Sequence, residues 1–278
     1  MTSPRSLAVL SAVVACCTAA MLLICNAPVM AQVILQDDFE NPSDTESLTG
    51  RTTSTGQTWG NFNHYDPAPY GGSFNFRGAY STGSGSNGVG GGGRKGNSIS
   101  LGRTLTTEKV YLGIDLTVRD DVQPRWPQIW FAGDNNKGIS FRWDADNSGV
   151  SELCFEHSGT MKNNGAFANQ CFDTGMAPGA GQLHVDLDID LSAKTLNVAW
   201  NEIGGDASGS EFYGTYSSDA GSYVNPNRLS IFTNDHGGNT HGFDNIVVGI
   251  VPEPTSLVLL GLGTLMLGVL RRGTRRDR

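Results

Sequence analysis

The acidic residues of two short segments are the first candidates for chemistry in this sequence. Asp186, Asp188 and Asp190 alternate within HVDLDIDL, and Glu152 and Glu156 lie four residues apart in ELCFE. A retaining glycosidase needs two carboxyl groups about 5 Å apart, one as acid/base and one as nucleophile. The first segment has Asp throughout at regular spacing, and the second has no central carboxylate. We therefore interpret both as solvated strand faces and predict no catalytic residue.

A turn rich in Asp and Asn could bind calcium. In DADNSG, Asp144, Asp146 and Ser148 stand at alternate positions, with Gly149 at the turn, like the start of an oxygen-ligand loop. An EF-hand loop has Glu at its twelfth position, where this chain has Phe155. Calcium at these residues is therefore a hypothesis beside an ordinary β-turn, and no other cofactor is predicted.

The aromatic side chains fall into two groups. Trp59, Tyr65, Tyr70 and Trp126 lie in irregular segments rich in Pro and Gly, where an exposed ring could stack on a sugar. Core packing is expected for the rings that have strand spacing, namely Trp130, Phe131, Phe141 and Trp143.

The elements that must carry these residues are β-strands. Residues 184–191 alternate polar and apolar without error, which is typical of a half-buried antiparallel strand, and 195–200 runs back to complete a hairpin. Turns rich in Gly, Asn and Asp separate the segments, and no amphipathic helix is evident. The pattern predicts an all-β fold, a two-sheet antiparallel sandwich or jelly roll over residues 32–250. Further strands are predicted at 110–118, 128–132, 138–144, 152–156, 228–233 and 243–250.

Two features of the chain course are also predicted. Residues 80–98, rich in Gly and Ser, are interpreted as a long loop within this domain, with an interdomain linker as the alternative. The first strand, around Asp38 and Phe39, is expected to pair antiparallel with the last, around 243–248, because each would otherwise have an unpaired edge. Phe39 and Phe243 would then be packing residues.

Cysteine use indicates an oxidising compartment. Three cysteines fall within the first 31 residues, and only Cys154 and Cys171 remain after them. Two cysteines in an exported chain predict one disulfide, here between facing positions on two antiparallel strands. A pair of free buried thiols is the alternative.

The charge balance excludes nucleic acid as a partner. Residues 32–252 hold 25 acidic and 13 basic residues, a formal charge of −12. Binding to phosphates needs a basic surface, and this domain has the opposite. An acidic surface favours solubility outside the cell and is compatible with the binding of divalent cations.

Both ends of the chain predict export. Arg5, the apolar run 6–25 and the small residues before Gln32 are typical of a signal peptide over 1–31, cleaved after Ala31. Lipidation at Cys16, within VVAC, is the alternative. At the other end, 255–270 contains no charged residue and predicts a short transmembrane helix. A cluster of arginines follows it as a cytoplasmic stop signal: Arg271, Arg272, Arg275, Arg276 and Arg278.

The tail 251–278 resembles the PEP-CTERM sorting signal of Gram-negative bacteria. The matching parts are Pro252, Glu253 and Pro254, then the apolar run, then the arginines. The resemblance implies processing by exosortase, a membrane-embedded cysteine transpeptidase linked to exopolysaccharide production. The Pro-Glu-Pro residues would then be a recognition site for that enzyme.

A second resemblance covers roughly 37–250. The opening DDFENPSDTESLTGRTTSTGQTW and the closing FDNIVVG are similar to the ends of concanavalin A-like, laminin-G-like jelly-roll domains. Many enzymes on this scaffold are glycoside hydrolases, and the related β-glucanases carry E-x-D-x-x-E on one strand, which this chain lacks.

Together these observations predict an exported protein that is anchored in the inner membrane as a precursor. After processing it would lie at the cell surface or in the extracellular matrix, where a non-catalytic ectodomain, residues 32–250, binds or organises extracellular polysaccharide. A glycan hydrolase or lyase on the same scaffold, or a purely structural matrix component, are the alternatives.

Overall fold

The structure is a computed structural model, and it describes most of residues 32–251. The described ranges are 32–40, 46–62, 73–77, 82, 88–91, 94–119, 127–133, 138–147, 149–156, 170–215, 225–234 and 241–251. The predicted signal peptide and transmembrane helix lie outside them. Within the described ranges, no helix is long and apolar enough to span a bilayer. Residues Gln32–Ile250 form one compact unit.

Fifteen strands make up the described part of the chain. They are β1 Gln32–Asp37, β2 Gly60–Asn61, β3 Asn75–Arg77, β4 Gly88–Gly91, β5 Arg94–Ser100, β6 Lys109–Val118, β7 Pro127–Ala132, β8 Gly138–Asn147, β9 Val150–Glu156, β10 Gln170–Asp173, β11 Gly181–Asp190, β12 Thr195–Glu202, β13 Ser208–Thr215, β14 Arg228–Asn234 and β15 His241–Val251.

The strands form two antiparallel sheets. Sheet 1 has the order β13-β12-β11-β6-β15-β4-β3, with β1 also on β15, and sheet 2 has the order β10-β9-β8-β7-β14-β5-β2. Non-consecutive neighbours such as β6 and β15, or β7 and β14, show that the chain crosses repeatedly between the sheets. The prediction of an all-β, two-sheet jelly-roll sandwich is confirmed.

The core lies between the sheets because alternate residues of each strand point inward. Leu183, Val185, Leu187 and Ile189 of β11 are buried, as the alternation in sequence predicts. Trp143 of sheet 2 belongs to the same core cluster.

The first and last strands pair antiparallel, as predicted, but the pairing begins earlier in β1 than expected. Gln32 lies opposite Ile250, and Asp37 lies opposite Ile246. Phe39 follows the strand with a positive φ of 52°, which turns the chain away from β15. Phe39 and Phe243 are both fully buried.

The prediction that 80–98 forms one long loop is wrong, because β4 and most of β5 lie within it. Glycine in strand β5 has a packing role. A Cβ on Gly96 would lie 2.9 Å from the Phe232 Cβ and 3.0 Å from the Phe62 ring. The absent side chain lets these rings lie against the strand, so composition alone misidentified the segment.

Candidate functional site

The outer face of sheet 1 carries a set of polar side chains that the strand alternation brings together. In β6, Leu112, Ile114 and Leu116 point into the core, so Asp115 points outward. Asp115 lies directly opposite His184 of β11. Opposed residues of antiparallel strands share a face, so these two side chains are neighbours although 69 positions separate them.

His184 lies between two carboxylates. Its Nδ1 lies 2.5 Å from Asp115 Oδ1, and its Nε2 lies 3.0 Å from Asp186 Oδ1. The Tyr111 hydroxyl donates a hydrogen bond of 2.5 Å to the same Asp186 oxygen. Each ring nitrogen of His184 therefore faces a carboxylate oxygen, which is the arrangement expected of a doubly protonated imidazolium.

Asp244 of the last strand, β15, adds a third carboxylate to this group of side chains. The Thr82 backbone N–H donates to Asp244 Oδ2 at 2.9 Å, and the Thr82 hydroxyl donates to Asp115 Oδ2. The Asn245 side-chain amide also donates to Asp115 Oδ2, at 2.8 Å. Asn245 has a positive φ of 48°, a conformation that Asn tolerates better than most residues. We call these residues the His184 network: Thr82, Tyr111, Asp115, His184, Asp186, Asp244 and Asn245.

The electrostatics of the network follow from these contacts. Hydrogen bonds to Asp115 and then Asp186 raise the pKa of His184 to about 10. Burial, followed by the nearby Asp115 charge, raises the pKa of Asp244 to about 7. Burial opposes ionisation of Asp186, but hydrogen bonds from His184 and Tyr111 outweigh it and hold the pKa of Asp186 below its usual value. At neutral pH the imidazolium thus offsets part of the carboxylate charge.

The network is better suited to holding charge than to transferring protons. A general base must have a free lone pair near the operating pH, and both His184 nitrogens are directed at carboxylates. The Thr82 hydroxyl is directed at Asp115 and Asp244, and not at His184. The described residues therefore show an ion-paired polar surface here, without the nucleophile–base contact of a catalytic triad.

The outer face of sheet 2 combines polar and aromatic groups. Gln128 donates a hydrogen bond of 3.0 Å to the Ser140 hydroxyl, and Arg142 lies 3.8 Å from Asp144. An aromatic cluster follows, with ring-centroid distances of 4.6 to 5.4 Å, formed by Phe62, Trp130 and Phe232. All three rings are buried.

The predicted disulfide is confirmed. Cys154 of β9 and Cys171 of β10 face each other in register and are bonded. Glu152 lies close to both sulfur atoms, but the sulfur atoms are bonded to each other and are not available as thiolate metal ligands.

The predicted sugar-stacking residues are only partly described. Trp59 is buried, with 1% of its surface exposed, and its indole N–H donates a 2.7 Å hydrogen bond to Asp37 Oδ2. The stacking prediction for Trp59 is therefore wrong, because the ring packs in the core against Phe39. Tyr65, Tyr70 and Trp126 lie outside the described residues.

The candidate calcium ligands are also only partly described. Asp144 is buried next to Arg142, a cation that already offsets its charge. The side chains of Asp146 and Ser148 lie outside the described part of the chain, as does that of Glu156. Asp186, Asp188 and Asp190 share the outer face of sheet 1, but Asp186 is bound to His184 and Tyr111 and is not simply solvated.

Sequence reasoning missed most of the His184 network. Asp115 is a polar residue inside an otherwise apolar strand, VYLGIDLTV, and this was the available signal. Asp244 and Asn245 are distant in sequence, and the pairing of β6 with β15 brings them to Asp115. Thr82 joins through its hydrogen bonds to Asp115 and Asp244.

A comparison with protein families identifies the C-terminal tail. Residues 251–276 match the family model of the PEP-CTERM protein-sorting motif. No curated protein matches the chain. The chain therefore carries a PEP-CTERM sorting motif behind a jelly-roll domain.

Solved structures similar to the chain are distant in sequence. Lectin II from Ulex europaeus has 12% identity and a TM-score of 0.41, covering 70% of this chain and 98% of the lectin. The exoplasmic domain of VIP36 in a Ca²⁺/Man3GlcNAc-bound form has 7% identity and a TM-score of 0.44, covering 73% and 86%. The catalytic domain of a glycoside hydrolase family 131 protein from Coprinopsis cinerea has 12% identity and a TM-score of 0.46, covering 78% and 94%. Likeness at this level carries no inference about ligand or activity.

Proposed function

We propose that this chain is an exported protein of a Gram-negative bacterium whose ectodomain binds or organises extracellular polysaccharide without catalysis. The precursor would be anchored in the inner membrane by residues 255–270, with the terminal arginines on the cytoplasmic side. Exosortase would recognise Pro252, Glu253 and Pro254 and release the protein to the cell surface or matrix. The observation that carries this proposal is the PEP-CTERM match at 251–276.

The position of the motif supports this order of events. Strand β15 ends at Val251, and the Pro-Glu-Pro residues follow at once. Proline lacks the N–H that a ladder needs and cannot continue a helix, so both prolines favour an extended recognition segment. The arginine cluster after the apolar run would keep the chain end in the cytoplasm.

The non-catalytic role of the ectodomain is supported by the His184 network. Its histidine is ion-paired through both ring nitrogens. The surface around it is polar and acidic, which suits hydrogen bonding to sugar hydroxyls. Calcium at Asp144, Asp146 and Ser148 stays a prediction, and a chelator-dependent change in melting temperature would test it.

The sorting part of the proposal is tested by two changes in the tail. Glu253→Ala and deletion of 271–278 should each leave unprocessed precursor in the inner membrane, because the first removes the recognition carboxylate and the second the stop signal. Fractionation and mass measurement of the mature C-terminus would detect this. Glu211→Ala, an exposed glutamate on β13, is the matched control and should mature normally. Normal maturation of both tail variants would refute exosortase sorting.

The ectodomain part is tested with a panel of polysaccharides of different charge and linkage. Binding without release of reducing sugar or unsaturated product supports the proposal. Release of such products would establish a hydrolase or lyase. Absence of binding to every member of the panel would leave a structural matrix component as the better description.

A further inference from the structure

Four side chains, three of them exposed and Tyr111 half-buried, form a row across the outer face of sheet 1. Tyr111 of β6 lies opposite Asp188 of β11, Asp188 lies opposite Asn197 of β12, and Asn197 lies opposite Phe212 of β13. We call this set the Phe212 row. Opposed residues point to the same face, and three strand spacings make the row about 14 Å long, the scale of a short oligosaccharide.

Phe212 is the unusual member of the row. Its exposed fraction is 61%, against 42% for Val33 and 37% for Val150, the other large exposed hydrophobic residues of the described chain. Asp188 and Asn197 beside it are exposed as well. A large exposed ring on a polar face is available to pack against the apolar face of a sugar.

The neighbouring row makes the surface shallow. Gly113, Asp186, Ala199 and Ser210 lie opposite one another along the same four strands, and three of them are small. A Cβ on Gly113 would lie 2.7 Å from the Tyr111 hydroxyl oxygen, so the tyrosine leans over this glycine to reach Asp186. The Tyr111 hydroxyl is thus held close to the sheet.

The charge of this face selects among ligands. Strands β6, β11, β12 and β13 carry Asp115, Asp186, Asp188 and Asp190 on the outer face, whereas their cationic side chains are Lys109 and His184. Lys109 lies 3.7 Å from Asp190, and His184 is paired with Asp115 and Asp186. The face therefore repels polyanions such as uronate, sulfate or phosphate polymers and attracts cations.

We propose that the Phe212 row binds a polysaccharide that carries protonated amino groups. The carboxylates of Asp188 and Asp186 accept hydrogen bonds from the ammonium groups, Asn197 bonds to ring hydroxyls, and Phe212 packs against a sugar face. This inference rests on the proposed function and specifies its ligand class. Burial and the neighbouring Asp186 raise the pKa of Asp188, so a bound ammonium relieves a repulsion already present in the free protein.

Short oligomers of glucosamine, N-acetylglucosamine and galacturonate, matched in length, separate the ligand classes. Titration calorimetry of the full-length protein in a mild nonionic detergent, at about pH 6, above the ordinary pKa of Asp and Glu side chains, measures their dissociation constants. Glucosamine oligomers should bind most tightly and galacturonate oligomers most weakly. Raising ionic strength to about 0.5 M should weaken binding of the charged oligomer and leave the acetylated one nearly unchanged.

Two substitutions locate the site. Phe212→Ala should weaken glucosamine binding about threefold, from the lost packing of the ring against a sugar face. Asp188→Asn should weaken it about twofold to fivefold and reduce the salt dependence. Val150→Ala and Asp173→Asn are matched controls at exposed positions of sheet 2, and they should bind like the wild type.

Each alternative outcome overturns a defined statement. Equal or tighter binding of galacturonate, or binding insensitive to both row substitutions, overturns this inference and leaves polysaccharide binding intact. If Phe212→Ala instead lowers self-association in sedimentation experiments with glycan binding unchanged, the row contacts a second copy and the inference is wrong. Absence of binding to all three oligomers and to the wider polysaccharide panel overturns the proposed function as well.

Discussion

Replacing His184 with Gln tests whether the imidazolium holds the outer face of sheet 1 together. Gln keeps one donor group, its side-chain amide, but removes the positive charge between Asp115 and Asp186. The His184 side chain is 28% exposed, and those of Asp115 and Asp186 are 9% and 36% exposed. The contact with Asp115 is therefore partly protected from solvent, and the contact with Asp186 is more strongly screened.

The expected loss of unfolding free energy in His184→Gln follows from these two contacts. A hydrogen bond to a charged group contributes about 1.5–3 kcal/mol, and an exposed ion pair about 0.2–1 kcal/mol. Gln recovers part of the first, so His184→Gln should lower the free energy of unfolding by about 2 kcal/mol at pH 6. For a domain of this size that is a fall in melting temperature of roughly 4–8 °C.

The pH dependence distinguishes a charged from a neutral histidine. The folded pKa is raised to about 10, above the ordinary value near 6.5. Protonation then stabilises the folded state fully below about pH 6.5, and this contribution is lost as pH rises towards 10. The difference between wild type and variant should therefore shrink between about pH 6 and pH 9.5. Groups shared by both proteins largely cancel from this difference.

Urea unfolding of residues 32–251, followed by fluorescence at both pH values, measures the effect. Lys109→Gln is the control, since it removes an exposed cation that lies 3.7 Å from Asp190 on the same sheet. Its loss should stay below about 1 kcal/mol. A His184→Gln loss that is negligible at pH 6, or that is equal at both pH values, would refute the imidazolium assignment.

Two further predictions concern packing and covalent structure. Gly96→Ala should lower the free energy of unfolding by about 1–3 kcal/mol, because the new methyl group would lie 2.9 Å from the Phe232 Cβ. In the control Gly60→Ala, the new Cβ meets only the Ser98 carbonyl, at 3.7 Å, so thermal melting should show almost no change. Equal melting temperatures for these two variants would contradict the packing role of Gly96. Replacing both Cys154 and Cys171 by Ser should lower the free energy of unfolding by about 3 kcal/mol, since the disulfide closes a loop of 17 positions. An unchanged midpoint of urea unfolding would refute this prediction.

Most of the features that the sequence alone predicted depend on local pattern. Strict alternation in 184–191 predicted β11 and its outward Asp residues. The composition and residue order of the tail 251–278 predicted its sorting motif. The disulfide was also predictable, because only two cysteines remain after the export signal and both lie in strand-like segments. A strand period or a run of apolar residues is a local consequence of solvation, so it can be recognised without the fold.

Other features required the tertiary structure because they depend on which strands become neighbours. Trp59 lies in an irregular segment that suggested exposure. It is buried instead, with its indole N–H bonded to Asp37 and its ring packed against Phe39. The glycines near 88–100 suggested a loop, but at Gly96 the side chains of Phe62 and Phe232 fill the space that the missing side chain leaves. The His184 network and the Phe212 row join residues from β6, β11, β12, β13 and β15. Strand register sets these contacts, and register is a property of the packed sheet.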